Sequence, residues 1–460
     1  MRRVSENVGS SASNPTKVLS LALSPDDQYV TFARRLGEGG STLVTMKTDG
    51  TGERTLVKRG LADRIFEPSW SPDGKTIVCA IATIPAGYSF KLFEVNVESG
   101  QERQLSSQKW WSVGRIAWLR DGSGFVMTAA DQPDGLSQIW FVSYPDGQAK
   151  RVTNDLNDYS DVSLTADSGA LVAVQSSEAL NLSIAPRGDA RPVRQIMSGD
   201  NSVSNPSWTP DNRIIYDAMS GAKRAIWVID ADGKNQKLLN AAAQVSAMSS
   251  MTSDSRYIVF HAYSGESWNI WRMDADGSNL KQLTEDNGVQ PVLTPDGKWV
   301  VYFKLTLTGG QLRRVPVEGG APLALTDETA NAVAPRVSPD GKWIACSYSS
   351  PKYRAATPAA VFRTAVIPFE GGDPVKVFDL LGGPENDYGW TADSRALTYI
   401  VTRDGVSNIW SQPLDGGKPV QLTDFKSELI YSFDWSHDGK QLLVLRGTPS
   451  SDVIMLSDFK

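Results

Sequence analysis

The sequence is poor in the residues on which most metal and redox chemistry relies. Its 460 residues include only two cysteines and two histidines. Two cysteines exclude a disulfide framework and a four-cysteine zinc site. Cys79 in "TIVCAI" and Cys346 in "WIACSY" fall at the same place in two similar stretches, which marks them as small buried residues of matching strands. His261 and His437 are too few for a histidine-rich metal site. Basic charge is also scarce: the net charge is −6, and lysines and arginines are scattered singly. A nucleic-acid partner, which requires a concentrated basic face, is therefore not expected. No apolar run reaches the length of a membrane helix. The opening "MRRVSENVGSSASNPTK" has no apolar core behind its arginines, so it does not read as a secretion signal. The expectation is a soluble monomer without cofactor or metal. It is cytoplasmic by default, and extracytoplasmic if it is a fragment of a membrane-tethered protein.

What the sequence does have is one word, many times. "PSWSPDGKTIVCAI" from Pro68 returns as "PSWTPDNRIIYDAM" from Pro206, "PVLTPDGKWVVYFK" from Pro291 and "PRVSPDGKWIACSY" from Pro335. Aligned on the turn aspartate, the copies fall at Asp26, Asp73, Asp121, Asp167, Asp211, Asp254, Asp296, Asp340, Asp393 and Asp438. A period of about 40–50 residues is that of a blade or solenoid unit. Each copy parses into four short strands. "PSWS" precedes the turn and the β-branched, aromatic "KTIVCAI" follows it. A third strand such as "SQIWFVSY" leads through a Gly-rich turn to a fourth such as "KRVT". Ser71, Pro72 and Gly74 suit a type I turn whose last residue is left-handed, the usual three-residue hairpin. Where glycine is missing, Asp27 and Asn212 tolerate that conformation, and Ser168, Ser255 and Ser394 are weaker substitutes.

Four-stranded antiparallel units at this period predict an all-β chain, a β-propeller of ten four-stranded repeats. Periodic tryptophans (Trp70, Trp118, Trp208, Trp390 and Trp435 on the first strand, Trp140, Trp227, Trp271 and Trp410 on the third) read as packing between blades. Ten blades exceed an ordinary ring, so the expectation is four blades over residues 1–189 and a six-bladed propeller over 190–460; the alternative is one ten-bladed ring. "SSDVIMLSDFK" at the end reads as a third strand that lacks a fourth. It must borrow one, from "RRVS" at Arg2 or "RPVRQI" at Arg191, and the chain reads as starting partway through a propeller.

The recurring pattern "xxWSPDGKxIxF … IWxxDxDGxxxxQLT" resembles the TolB-like propeller repeat over essentially the whole chain. The phrases "KRVTNDLNDYSDVSLTADS" and "VSNIWSQPLDGGKPVQLTDFKS" are similar to the carboxy-terminal propeller region of bacterial membrane-tethered serine/threonine kinases. Kinase motifs are absent: there is no His-Arg-Asp or Asp-Phe-Gly triplet, and "GEGGST" at Gly37 lacks the last glycine of a kinase loop. "DADGKN" at Asp230 and "DADGSN" at Asp274 match half a calcium loop but lack its closing glutamate, and hairpin chemistry explains them. "SPDGKT" fails as a sialidase Asp box because glycine directly follows aspartate. No Gly-x-Ser-x-Gly elbow marks a serine hydrolase.

Surface remains. Aromatic and arginine anchors in the loops at one end of the channel are the usual elements of a protein interface. The candidates are Arg34, Arg35, Trp110, Trp111, His261, Tyr263, Tyr353, Arg354, Asp387 and Tyr388. The expected function is a non-enzymatic sensor or scaffold module that binds a protein or peptide. The alternative is a propeller hydrolase or lyase with its site at the channel mouth.

Overall fold

The computed structural model describes residues 17–36, 40–83, 89–133, 135–186, 194–199, 202–220, 223–240, 246–264, 267–307, 309–350, 362–381 and 387–459. Among these the chain is all β, with 37 strands and no helix.

Nine of the ten repeats close the turn between first and second strands with a hydroxyl bonded to the turn aspartate, and in the tenth Leu119 takes the hydroxyl's place. Ser71 Oγ donates to Asp73 at 2.6 Å and accepts the Thr76 amide at 3.0 Å, while Asp73 accepts the Lys75 amide. The arrangement recurs at Ser24–Asp26, Thr294–Asp296 and Ser436–Asp438. Hydroxyl donation from Ser24, Ser71 and Ser436 holds the carboxyls of Asp26, Asp73 and Asp438 below the usual range. The residue after each turn is left-handed whether or not it is glycine: φ is 59° at Asp27, 69° at Gly74, 56° at Ser168 and 62° at Asn212.

The blades group into two compact units, Met1–Ser177 with Ser450–Lys460, and Glu178–Pro449. In the first unit, β1 (Lys17–Leu23), β2 (Tyr29–Arg35), β3 (Ser41–Lys47) and β4 (Arg54–Arg59) form one sheet in sequence order. The next holds β5 (Asp63–Trp70), β6 (Thr76–Thr83), β7 (Ser89–Asn96) and β8 (Glu102–Gln104). The third holds β9 (Ser112–Trp118), β10 (Gly124–Ala130), β11 (Gln138–Ser143) and β12 (Ala149–Arg151). Blades pack face to face through apolar layers, as where Leu43 of one meets Ile65, Trp70 and Ile77 of the next. Cys79 lies in the same layer, and burial pushes its thiol up to about 12.

The second unit has five sheets of the same order, whose first strands are β16 (Ser204–Trp208), β20 (Ser246–Met251), β24 (Gly288–Leu293), β28 (Asn331–Val337) and β32 (Tyr388–Trp390). A sixth first strand, β36 (Leu429–Trp435), belongs to a sheet ordered β13 (Asp158–Leu164), β14 (Ala170–Pro186), β37 (Gln441–Ser457) and β36, with β15 (Arg194–Ser198) paired to β14. β14 and β37 each run 17 residues, and the chain passes from one unit to the other inside them. In the first unit β13 pairs with the start of β14, and Ser176 lies against Ser451 of β37 at 3.3 Å. In the second unit the start of β37 pairs with β36, Gly447 packs against the Ala179 carbonyl of β14, and β15 closes the blade as its fourth strand.

The third strand of the last repeat's blade is therefore Glu178–Pro186, and "SSDVIMLSDFK" belongs to the first unit. The division falls at Ser177/Glu178, with the last residues returned to the first unit, instead of at 189/190. The cause is local: "VAVQSSEALNLSIAP" contains no glycine, and no proline before its end, so nothing turns the chain after Ser177. "RRVS" and the first residues of "RPVRQI" lie outside the described residues.

Candidate functional site: the central cavity of the six-bladed unit

Four of the six first strands of the second unit share a feature that alternation alone does not predict. Asn205, Met248, Gln290 and Ala334 are left-handed non-glycine residues, with φ between 49° and 54°. Each sits where the pairing register shifts, and three precede a proline (Pro206, Pro291 and Pro335). Such a conformation costs about 1–2 kcal/mol per residue. At two of the four, a side chain of the preceding blade offsets that cost by accepting the redirected amide. The Met248 amide donates to Asp217 Oδ2 at 2.7 Å, and the Gln290 amide to His261 Nδ1 at 3.3 Å.

Asp217 and His261 occupy matching places on the second strands β17 (Arg213–Ser220) and β21 (Tyr257–Ser264). Asp217 also accepts Asn205 Nδ2 at 2.9 Å and Ser249 Oγ at 3.3 Å. Burial nevertheless pushes its carboxyl up to about 6. Burial moves His261 the other way, down to about 4. With Nδ1 accepting, its single proton resides on Nε2.

The six first strands surround a cavity of about 420 Å³, lined among others by Trp208, Met251, Arg336, Tyr388, Trp390 and Phe433. An adjoining cavity of about 190 Å³ shares Arg336 and adds Asn205, Gln290 and Asp387. Arg336 Nη2 pairs with Asp387 Oδ1 at 2.9 Å, and Asp387 Oδ2 accepts Ser432 Oγ at 3.0 Å. Asp434 accepts the Trp208 amide at 2.9 Å, and burial pushes its carboxyl up to about 6. Tyr388 donates its hydroxyl to the Ala334 carbonyl, and Trp390 Nε1 donates to the Arg336 carbonyl at 2.9 Å. The result is a concave, charge-paired wall on rigid strands. It offers one guanidinium, carboxylates and aromatic edges. Among the described residues no serine is hydrogen-bonded to either histidine, Ser436 is committed to Asp438, and no group of three or more His, Cys, Asp or Glu is placed to hold a metal ion.

The ten residues singled out from sequence do not form one site. Asp387 and Tyr388 line the central cavities. Tyr353 and Arg354 lie outside the described residues. Trp110 is a core residue: it is fully buried, edge-on to Trp140 at 4.8 Å, and its backbone pairs with Phe90. Its neighbour Trp111 is only partly buried. His261 and Tyr263 are buried on β21 against Trp268, inside a blade. Arg34 and Arg35 lie on β2, and Arg34 makes a bidentate pair with Glu53 at 2.8 Å. Sequence reasoning missed Arg336, Asp434 and Asp217. The signal present was an acidic residue inside an apolar strand, as in "IIYDAM".

Four-stranded blades whose first strands surround a central cavity define a β-propeller. The chain belongs to the TolB beta propeller domain family, whose model matches residues 6–252. It is 24% identical over 153 residues to dipeptidyl-peptidase 5 of Porphyromonas gingivalis, a match that covers 31% of this chain and 22% of that protein. Among solved structures it is similar to TolB from Acinetobacter baumannii, at 18% identity over 67% of this chain and 66% of that one, with a TM-score of 0.23. It is also similar to a putative TolB from Agrobacterium tumefaciens, at 14% identity over 79% and 99%, with a TM-score of 0.30.

Proposed function

We propose that the protein is a non-enzymatic interaction module that binds a peptide segment of a protein partner at the central cavity of its six-bladed unit. The observation that carries this reading is the cavity wall itself. Arg336, Asp387, Tyr388 and Asp434, on or beside the first strands β28, β32 and β36, present paired charges and aromatic edges. Preorganised polar groups of this kind suit recognition, because their ordering cost is met before the ligand arrives. The described residues offer no activated nucleophile beside them. We also propose a signalling context, as the sensor or scaffold segment of a membrane-tethered kinase; its support is the resemblance of the repeat phrases alone.

A second reading has the propeller serving a peptidase, and the partial match to a dipeptidyl-peptidase favours it. One experiment separates the two. Peptides selected from a random display library on the intact chain are measured for affinity and incubated alongside dipeptidyl nitroanilides. The module reading expects binding that weakens at least tenfold on Arg336→Ala, with every peptide and anilide intact. Release of nitroaniline, lost on substitution of a cavity residue, refutes it.

A further inference from the structure

Matching positions in successive blades reveal a vacancy in the first unit. In the second unit, two seams between blades are closed by an arginine of the third strand. Arg272 of β22 (Ser267–Asp274) lies over the Tyr257 ring at 3.9 Å and pairs with Glu318 of the next blade at 3.1 Å. Arg314 of β26 (Gly309–Pro316) lies over Trp299 at 4.8 Å, pairs with Glu370 of the next blade at 2.6 Å and donates to the Phe369 carbonyl. The aromatic in each case is the third residue after its blade's turn aspartate, and the glutamate follows a residue whose amide is bonded two residues past the next blade's turn aspartate, Val317 to Lys298 and Phe369 to Lys342.

The seam between the first two blades keeps the aromatic and the glutamate but not the arginine. Tyr29 stands three residues after Asp26, and Glu98 follows Val97, whose amide is bonded to the Lys75 carbonyl. The arginine position is Thr45, paired across the strands with Thr31 as Arg272 is with Val259. A cavity of about 720 Å³ opens there. Tyr29 is 37% exposed where Tyr257 is 6% exposed. Thr45 is 5% exposed and Trp70 8%, both line the cavity, and neither Thr45 Oγ1 nor Trp70 Nε1 has a hydrogen-bond partner. Arg54, opposite Thr45 on the outer strand, reaches the Val97 and Glu98 carbonyls, but the Glu98 carboxylate has no ion-pair partner among the described residues.

We propose that this seam is a binding pocket for an arginine side chain of a protein partner, supplied from outside where the seams of Arg272 and Arg314 supply their own. The inference takes from the proposed function only that the partner is a protein. Arg54 already makes the backbone contact that Arg314 makes to Phe369, and a guanidinium stacked on Tyr29 and paired with Glu98 restores the ring and carboxylate contacts that Arg272 and Arg314 make elsewhere. Asp26 and Asp73 add negative charge to the lining. Lys47, Arg54 and Lys75 also line it, and the exposed Lys47 and Lys75 suit an acidic residue beside the arginine.

The test is calorimetric titration of the intact chain with Ac-Gly-Arg-Asp-NH2, using Ac-Gly-Gln-Asp-NH2 as control. Binding of the arginine peptide alone is expected. It should weaken at least tenfold on Glu98→Gln, vanish on Thr45→Arg, which fills the pocket from within, and be unchanged on Arg336→Ala, so that failure at the central cavity leaves this result standing. Thr45→Arg should melt no lower than the unaltered chain. Should that variant fail to fold, Tyr29→Ala at an exposed position takes its place, with a loss of affinity expected. No binding by the unaltered chain, equal binding of the two peptides, or undiminished binding by the filled-pocket and Glu98 variants overturns the proposal.

Discussion

His261 and Asp217 do the same structural task with opposite electrostatic consequences, and that opposition is measurable. Each accepts the amide of a left-handed residue in the next blade. His261 titrates near 4 in the folded chain, against an ordinary value of 6.5. Its contribution to stability is thus complete above about pH 6.5 and is lost as the pH falls toward 4, because the unfolded chain takes up the proton first. At about 1.4 kcal/mol per pH unit the displacement is worth roughly 3 kcal/mol. Asp217 titrates near 6, against 3.8. Its native carboxyl holds a proton that the unfolded chain has released, so its contribution is complete below about pH 3.8 and is lost as the pH rises toward 6, again by roughly 3 kcal/mol. His261→Asn and Asp217→Asn remove one titration each. The assay is urea unfolding of the unaltered chain and both variants at intervals from pH 4 to 7, followed by tryptophan fluorescence. Relative to His261→Asn, the unaltered chain should gain stability as the pH rises. Relative to Asp217→Asn, it should lose stability over the same interval. Difference curves that are flat, or that tilt the same way, refute the assignment of these two groups as buried acceptors.

Other consequences concern the turns, the tryptophans and the exchanged strands. Gly74 and Gly341 have φ of 69° and 71° with no close neighbour around a substituent, so conformation alone decides. Gly74→Val should cost about 1–2 kcal/mol or more and Gly341→Asn well under that, read as melting shifts. Trp110→Ala should cost about 3–5 kcal/mol as a core cavity, and Trp111→Ala clearly less, by the same measurement. A polypeptide of residues 178–449 should melt cooperatively, whereas residues 189–460 lack the strand Glu178–Pro186 and should aggregate or melt broadly; equal behaviour of the two contradicts the strand exchange.

The turns were legible because their chemistry is local. A hydroxyl, a carboxylate two residues on and a residue tolerant of positive φ specify the hairpin without reference to anything distant. That is why Asp27, Asn212 and Ser168 could be placed as left-handed from sequence. The exchange of strands was not legible, because a β run such as "VAVQSSEALNLSIAP" reads the same whether it serves one blade or two. Trp110 misled for a related reason. It lies outside the repeat register, yet it is buried by Trp140 and by backbone pairing with Phe90, contacts that no periodicity encodes. The central cavity was half visible. Asp387 and Tyr388 stood out in a loop phrase, but Arg336 hides in the ordinary word "PRVSPDG", and its partner is 51 residues away. The left-handed residues before Pro206, Pro291 and Pro335 had a faint signal, a proline inside a strand pattern, which marks a bulge.

Amide hydrogen exchange of the intact chain, with and without a peptide selected on it, tests the proposed function most directly. The account predicts slowed exchange in the first strands that carry Arg336, Tyr388 and Asp434, with the peptide recovered uncleaved. Unchanged exchange in those strands while the peptide is bound, or recovery of cleaved peptide, would contradict it.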